Sequence, residues 1–163
     1  MTTEAVGPAA GVRAYVGLGA NLGQPQQAVC HALQELARLP QTRLLGYSRL
    51  YRSAPLEAGG PDYVNAVAAV CTALGPLELL GQLQALEQAA GRKRSYRNAP
   101  RTLDLDLLLY GDIQLDTPGL QLPHPRMQQR AFVLYPLAEL APEQVSPQAL
   151  QAVKNQDCQP LES

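Results

Sequence analysis

An α+β sandwich is the fold this sequence predicts, and three observations carry the expectation. Apolar residues follow strand periodicity over Val12–Gly19, Arg43–Ser53, Tyr63–Ala73 and Leu103–Tyr110. Between the first and second of these runs, and between the third and fourth, they recur at helical spacing after a proline suited to a first helical turn. The order is therefore strand, helix, strand, strand, helix, strand, with a short hairpin and helices to follow. That is the ferredoxin-like βαββαβ pattern with an added C-terminal hairpin and helices.

Each element has its own warrant. Val12–Gly19 opens the sheet. Pro25 starts a helix whose stripe is Val29, Ala32, Leu33 and Leu36, ending near Leu39-Pro40. Arg43–Ser53 places Leu45, Tyr47, Arg49 and Tyr51 on one face. The stretch 54–61 contains two prolines and two glycines and reads as a loop. In Tyr63–Ala73, Tyr63, Asn65, Val67, Ala69 and Cys71 share one face, and Val64, Ala66, Ala68 and Val70 the other. Both faces are mostly apolar, so this strand is central. Pro76 opens the second helix, with Leu79, Leu83, Leu86 and Ala90 inward and Gly91 closing it. Gly111-Asp112 turns the fourth strand into a short return, Ile113–Leu115. Leu120–Leu122 is a brief strand before Pro123-His124-Pro125. Part of Arg126–Leu140 is helical, interrupted at Pro136, and the polar tail from Ser146 is weakly so.

The 163 residues argue for one domain, with 1–11 and about 154–163 as flexible tails. A hydrophobic fraction of 46% suffices for a core. The net charge of −1 gives no global attraction to nucleic acid or to an anionic membrane. Cys30, Cys71 and Cys158 have no metal spacing and suggest no disulfide framework, so a reducing cytoplasm is the default. Residues 1–11 do not read as a signal peptide, and no apolar stretch approaches a membrane span. A monomer is the expectation.

The chemistry is concentrated in Pro100–Tyr110. Asp104 and Asp106 lie at i and i+2 of a strand, so they project from one face about 7 Å apart. Like charges in that setting either favour one another's protonation or need a cation. Mg2+ suits such a pair, because it takes one or two carboxylates and completes its shell with water and phosphate oxygens. Just upstream, Arg92, Lys93, Arg94, Arg97 and Arg101 are five of the 13 Lys and Arg residues. Arginine grips phosphate oxygens in bidentate fashion. A cationic loop running into a two-Asp strand has the shape of a phosphate site; taken separately, the halves read equally well as solvated faces.

Other residues are less decisive. Gly17-Leu18-Gly19-Ala20-Asn21-Leu22-Gly23 invites a dinucleotide reading, but its spacing is GxGxxxG and no ribose-binding acid ends the second strand. A tight strand-to-helix turn needing positive φ accounts for it more simply. No Walker A sequence is present. Gln84 and Glu87 lie one helical turn apart, near the basic loop, where a solvated helix face is the simpler reading. Asn65 can read a heterocycle edge or bond the backbone at a strand end. His124 stands in a rigid segment between prolines.

Ala99-Pro100-Arg101-Thr102-Leu103-Asp104-Leu105-Asp106-Leu107-Leu108 resembles the signature of the 6-hydroxymethyl-7,8-dihydropterin pyrophosphokinase family. The resemblance runs from about Ala14 to Glu143. It takes in Gly17–Gly23, Tyr51–Leu56, Pro61–Ala66, Gln84–Glu87, Gly91–Arg94 and Pro123–Met127. It implies an ATP-dependent diphosphotransferase of folate biosynthesis, with two Mg2+ ions, ATP as co-substrate and 6-hydroxymethyl-7,8-dihydropterin as acceptor. By position it assigns both ions to Asp104 and Asp106, and stabilisation of the transferred phosphates to Arg92 and Arg101. ATP falls to Gln84, Glu87, Arg94, Leu107, His124 and Arg130. The pterin falls between Tyr63 and Phe132, with Asn65 on its polar edge and Ser53, Pro55 and Leu56 closing the pocket. Some members carry a Trp in the loop before the signature, where this chain has Arg97-Asn98-Ala99. A non-catalytic sensing module and a single-stranded RNA-binding domain are rival readings; the second is disfavoured by an aromatic content of 5%.

Overall fold

A computed structural model describes residues 11–55, 60–91 and 103–161. The strands are β1 (Val12–Ala20), β2 (Thr42–Tyr47), β3 (Tyr51–Ser53), β4 (Tyr63–Thr72), β5 (Asp104–Tyr110), β6 (Leu115–Thr117), β7 (Leu120–Leu122) and β8 (Cys158–Pro160). The α-helices are α1 (Pro25–Leu36), α2 (Pro76–Gly91), α3 (Ala131–Leu140) and α4 (Pro147–Ala152).

A six-stranded antiparallel sheet runs β5-β1-β4-β3-β8, with β2 also paired to β4. The two faces of β4 are as its alternation predicts. Val64, Ala66, Ala68 and Val70 join Ala14, Val16 and Leu18 under α1 and α2, whose Val29, Leu36, Leu79 and Leu83 are fully buried. Val67 and Ala69 join Tyr15 on the opposite face, under Ala131, Leu134 and Leu137 of α3. Helices therefore cover both faces. Burial of such aliphatic side chains, at about 1.5–3 kcal/mol each, is the main force holding the three layers together.

The structure departs from the sequence expectations in five places. The run Arg43–Ser53 is two strands, not one. At the break, Ser48 N–H donates to Val67 O at 2.9 Å, and Val67 N–H donates to Ser48 Oγ at 3.0 Å. The hydroxyl thus stands in for a ladder carbonyl, and the chain changes face: Tyr47 is exposed and Tyr51 buried. The return after Gly111 is not Ile113–Leu115 but Leu115–Thr117, which pairs with Leu120–Leu122 in a separate two-stranded sheet. Ala90, expected inward, is exposed. Residues 154–161, expected as a flexible tail, include β8, which extends the sheet alongside β3. Pro136 sits inside α3 without ending it, the chain before it forming a separate 3-10 turn, Met127–Gln129.

A β-bulge in β5 matters most for the site. Val16 pairs with Leu107 and Tyr15 with Leu109, so Leu108 is an extra residue. Leu105 and Leu107 face the α1/α2 layer, Leu108 and Leu109 both face the α3 layer, and Tyr110 returns to the first. Tyr110 is anchored there by its hydroxyl, which donates to Leu74 O at 2.6 Å.

Candidate active site

The α3 layer covers only part of its sheet face. Toward the other end of β1 and β5 the face is open, and a cleft of about 730 Å3 lies on it, within the range of small-molecule sites. Its floor follows from strand register. Gly17 is paired with Val67 and Asp106, and Gly19 with Asn65 and Asp104. Period-two alternation therefore turns Gly17, Gly19, Tyr63, Asn65, Asp104 and Asp106 to the same side.

The two glycines make the floor low. A Cβ at Gly19 would stand 3.0 Å from Asn65 Nδ2, and one at Gly17 would meet Leu108 at 3.5 Å. They are extended strand residues; the glycine that needs positive φ is Gly23, at +66°. The turn explanation therefore applies to Gly23 alone, while Gly17 and Gly19 line the cleft.

Asn65 is almost fully buried, and its Oδ1 accepts a hydrogen bond from Ser53 Oγ at 2.6 Å. Ser53 is itself buried. With Oδ1 engaged, the amide turns its Nδ2 donors toward the space above Gly19. Ala54, Pro55 and Tyr63 form the wall above this pair. The opposite wall comes from the start of α3, with Phe132 and Val133, and from Arg126, Gln129 and Arg130 before it. The Arg130 guanidinium lies 5.4 Å from the Phe132 ring centre, in cation–π contact.

Asp104 and Asp106 line the cleft beside the glycines. The backbone under them is held by Glu87, whose Oε2 accepts Leu105 N–H at 2.7 Å. His124 stands beside Asp106, its Nε2 4.0 Å from Asp106 Oδ1. Its Nδ1 accepts Arg126 N–H at 3.2 Å, and the His124 backbone N–H donates to Leu108 O at 2.9 Å. The bulge carbonyl thus docks the 123–126 segment against the acid strand. Burial lowers the His124 pKa; Asp106 opposes this, while Arg130 and Arg126 reinforce it. The imidazole is accordingly neutral at pH 7 and can offer Nε2–H to an anion.

Among the described residues, no group of three His, Cys, Asp or Glu side chains is placed to hold a metal ion. Two adjacent carboxylates in an open cleft nevertheless fit Mg2+, which leaves most of its shell to water and substrate oxygens.

The cleft brings together Asp104, Asp106, Pro55, Tyr63, Asn65, Arg130 and Phe132, with Ser53 behind Asn65 and His124 beside Asp106. Gln84 is exposed on α2, and Leu107 points into the core, away from the cleft. Leu107 can therefore serve a nucleotide only through its main chain. Arg92, Arg94, Arg101 and Leu56, with Lys93 and Arg97, lie outside the described residues. Sequence reasoning passed over Gly17, Gly19, Arg126 and Gln129 as cleft residues. The alternation of β1 could have identified the glycines, because it sets them opposite the acids.

A family model described as 7,8-dihydro-6-hydroxymethylpterin-pyrophosphokinase (HPPK) matches residues 15–142. The chain is 55% identical over 132 residues to a 2-amino-4-hydroxy-6-hydroxymethyldihydropteridine pyrophosphokinase of Pseudomonas aeruginosa, covering 80% of this chain and 82% of that protein. It is 44% identical over 149 residues to the enzyme of the same name from Synechocystis, covering 89% and 76%. Among solved structures it resembles an HPPK-DHPS in complex with substrates, with a TM-score of 0.66 at 13% identity over 88% of this chain and 43% of that one. A Plasmodium falciparum HPPK-DHPS matches with a TM-score of 0.61 at 15% identity, and this chain spans 40% of its length. The open sheet face, its paired carboxylates and these relationships agree: the chain belongs to the 7,8-dihydro-6-hydroxymethylpterin-pyrophosphokinase family of diphosphotransferases.

Proposed function

We propose that this cleft transfers the β,γ-pyrophosphoryl group of ATP to the hydroxymethyl of 6-hydroxymethyl-7,8-dihydropterin, giving AMP and the pterin diphosphate. One observation carries the reading: a buried, hydrogen-bonded Asn65 and two carboxylates share a single glycine-floored face. A flat heterocycle needs a fixed polar edge and aromatic faces, and a polyphosphate needs positive charge and a metal. Both requirements can be met within one cleft.

The pterin enters between Tyr63 and Phe132, and the Asn65 amide reads its polar edge. Ser53 fixes which way that amide points, and Ala54 and Pro55, with Leu56, close the pocket. Asp104 and Asp106 would hold Mg2+, two ions in this reading, which neutralises phosphate charge when bound. Arg130 and neutral His124 hold nucleotide oxygens, and Arg94, Gln84, Glu87 and the Leu107 main chain complete the ATP site. Arg92 and Arg101 would stabilise charge on the phosphates in transfer.

Such a transfer depends on positioning and charge stabilisation more than on a strong base. The pterin hydroxyl proton is left to solvent or a phosphate oxygen. The strand order β5-β1-β4, continued by β2 and β3, supports a ferredoxin-like core. The free thiols of Cys30, Cys71 and Cys158 fit a reducing cytoplasm, where the enzyme acts as a monomer. The test is AMP formation from ATP and Mg2+, with and without the pterin alcohol. Pterin-dependent AMP is expected; ATP binding without AMP would indicate a sensing module and overturn the reading.

A further inference from the structure

Residues 156–161 lie beyond the stretch matched by the family model, which ends at residue 142. They nevertheless reach both walls of the cleft. Gln156 Oε1 accepts Ala131 N–H at 2.8 Å, and Gln156 Nε2 donates to Gln129 O at 2.8 Å. These two groups flank Arg130 on either side. One side-chain amide therefore grips both peptide units around the residue that precedes α3 and carries the cleft-lining guanidinium.

The grip has a physical purpose. Arg130 is the N-cap of α3, with extended backbone at φ −127° and ψ 112°, and its own side chain makes no capping bond. The first turn of a helix has N–H groups without intrahelical partners. Gln156 supplies an acceptor to one of them from 25 residues away in sequence. Its second bond fixes the preceding carbonyl, so rotation of the Arg130 backbone would break both bonds.

The next residue reaches the other wall. Asp157 O accepts Ala54 N–H at 3.0 Å, and Asp157 Oδ1 pairs with Arg52 Nη2 at 2.9 Å. Arg52 also pairs with Asp62, across the mouth of the 54–62 loop, at 2.9 Å. Beyond Asp157, Cys158 pairs with Ser53 and Gln159 with Arg52 in the β3–β8 ladder.

We infer that Gln156 and Asp157 form a clasp that sets the separation of the two cleft walls, with Gln156 as a positioning residue for Arg130 and Phe132. The inference rests on the proposed use of those walls by nucleotide and pterin. Gln156 touches neither the cleft nor a substrate; it acts through the Arg130 backbone.

The experiment compares full-length wild type with Gln156→Met and Gln156→Glu. Met keeps the length of the side chain and removes both bonds. Glu keeps the acceptor for Ala131 N–H and loses the donor to Gln129 O. Binding of a non-hydrolysable ATP analogue with Mg2+ is measured by calorimetry, and turnover is measured as AMP release. Gln156→Met is expected to weaken analogue binding about ten-fold and to raise KM for both substrates in parallel, since a small misplacement of a binding group is costly. Its kcat should stay within about three-fold. Gln156→Glu should fall between wild type and Met. Binding and KM unchanged in both variants, whatever happens to thermal stability, would overturn the clasp; if Met does not fold, Glu alone decides on the same criterion. Absence of AMP from wild type would overturn the enzymatic reading instead, while analogue binding would still test the clasp.

Discussion

Ser53 Oγ donates to Asn65 Oδ1 at 2.6 Å from the strand next to it, and both residues are buried. The bond links β3 to the central strand β4 and fixes the orientation of the amide. Asn65→Ala removes the acceptor and leaves a buried hydroxyl unpaired, at a cost of about 1–3 kcal/mol. For a chain of this size that lowers Tm by roughly 2–4 °C per kcal/mol. Removing both partners in Ser53→Ala/Asn65→Ala should cost less than the sum of the single changes. Urea denaturation of the three variants checks this; strict additivity would mean the bond is not coupled.

Gly19 predicts a selective effect. A methyl group there would press on Asn65 Nδ2 and raise the floor of the proposed pterin subsite. Gly19→Ala should raise KM for the pterin about ten-fold, equivalent to roughly 1.4 kcal/mol, and leave KM for ATP nearly unchanged. Initial-rate kinetics with each substrate varied would show it. An equal rise in both would place the glycine outside the pterin subsite.

Asp104→Ala and Asp106→Ala should retain the fold, because both side chains face the cleft rather than the core. Activity should fall about 100-fold or more, the scale of about 3 kcal/mol of lost transition-state stabilisation. AMP release at saturating Mg2+, beside the far-UV spectrum, is the measurement. Unchanged turnover in either variant would remove that residue from the metal site.

A polar network at the C-terminal end of α3 predicts pH behaviour. Tyr51 OH donates to Glu139 Oε2, and Arg49 Nε donates to the same oxygen at 3.0 Å. Desolvation pushes the Glu139 carboxyl up, but the bonds from Tyr51 and Arg49 outweigh it and leave its pKa below the usual value of 4.5. Burial, and then Glu139, push the Tyr51 phenol from 10.0 to about 12. A lowered carboxylate contributes stability above its unfolded pKa and loses it as pH falls through the folded value. A raised phenol contributes below its unfolded pKa and loses it as pH rises through the folded value. Glu139→Gln should therefore be less stable than wild type at pH 7, with the gap closing below about pH 4.5. Tyr51→Phe should flatten the decline above about pH 10. Melting temperatures across that range test both; parallel curves would refute the linkage.

Much of the fold was legible because two-sided burial and helical stripes leave plain patterns. Tyr63–Thr72 alternates cleanly, and Asp104 and Asp106 stand out as acids within an otherwise apolar strand that follows a cluster of arginines. Other features had no such pattern. Ser48 replaces a ladder carbonyl with its hydroxyl, and no spacing rule marks which serine will do so. The bulge falls within three consecutive leucines, where a change of face leaves hydrophobicity unaltered. Gln156 and Asp157 look like solvated tail residues because their partners lie far away in sequence. Gly17 and Gly19 resembled a better-known motif without its spacing, and their register beside Asn65 and the acids reveals that they hold space open.

The doubled leucine of β5 sets two halves of one strand in opposite phase. Upstream, the alternation presents carboxylates to the cleft; downstream, it presents Tyr110 to the core. Without the bulge, regular alternation of all seven residues would have to choose between them, either rolling the acids away from the open face or pulling the tyrosine from its carbonyl. The offset lets chemistry and anchorage coexist on seven consecutive residues.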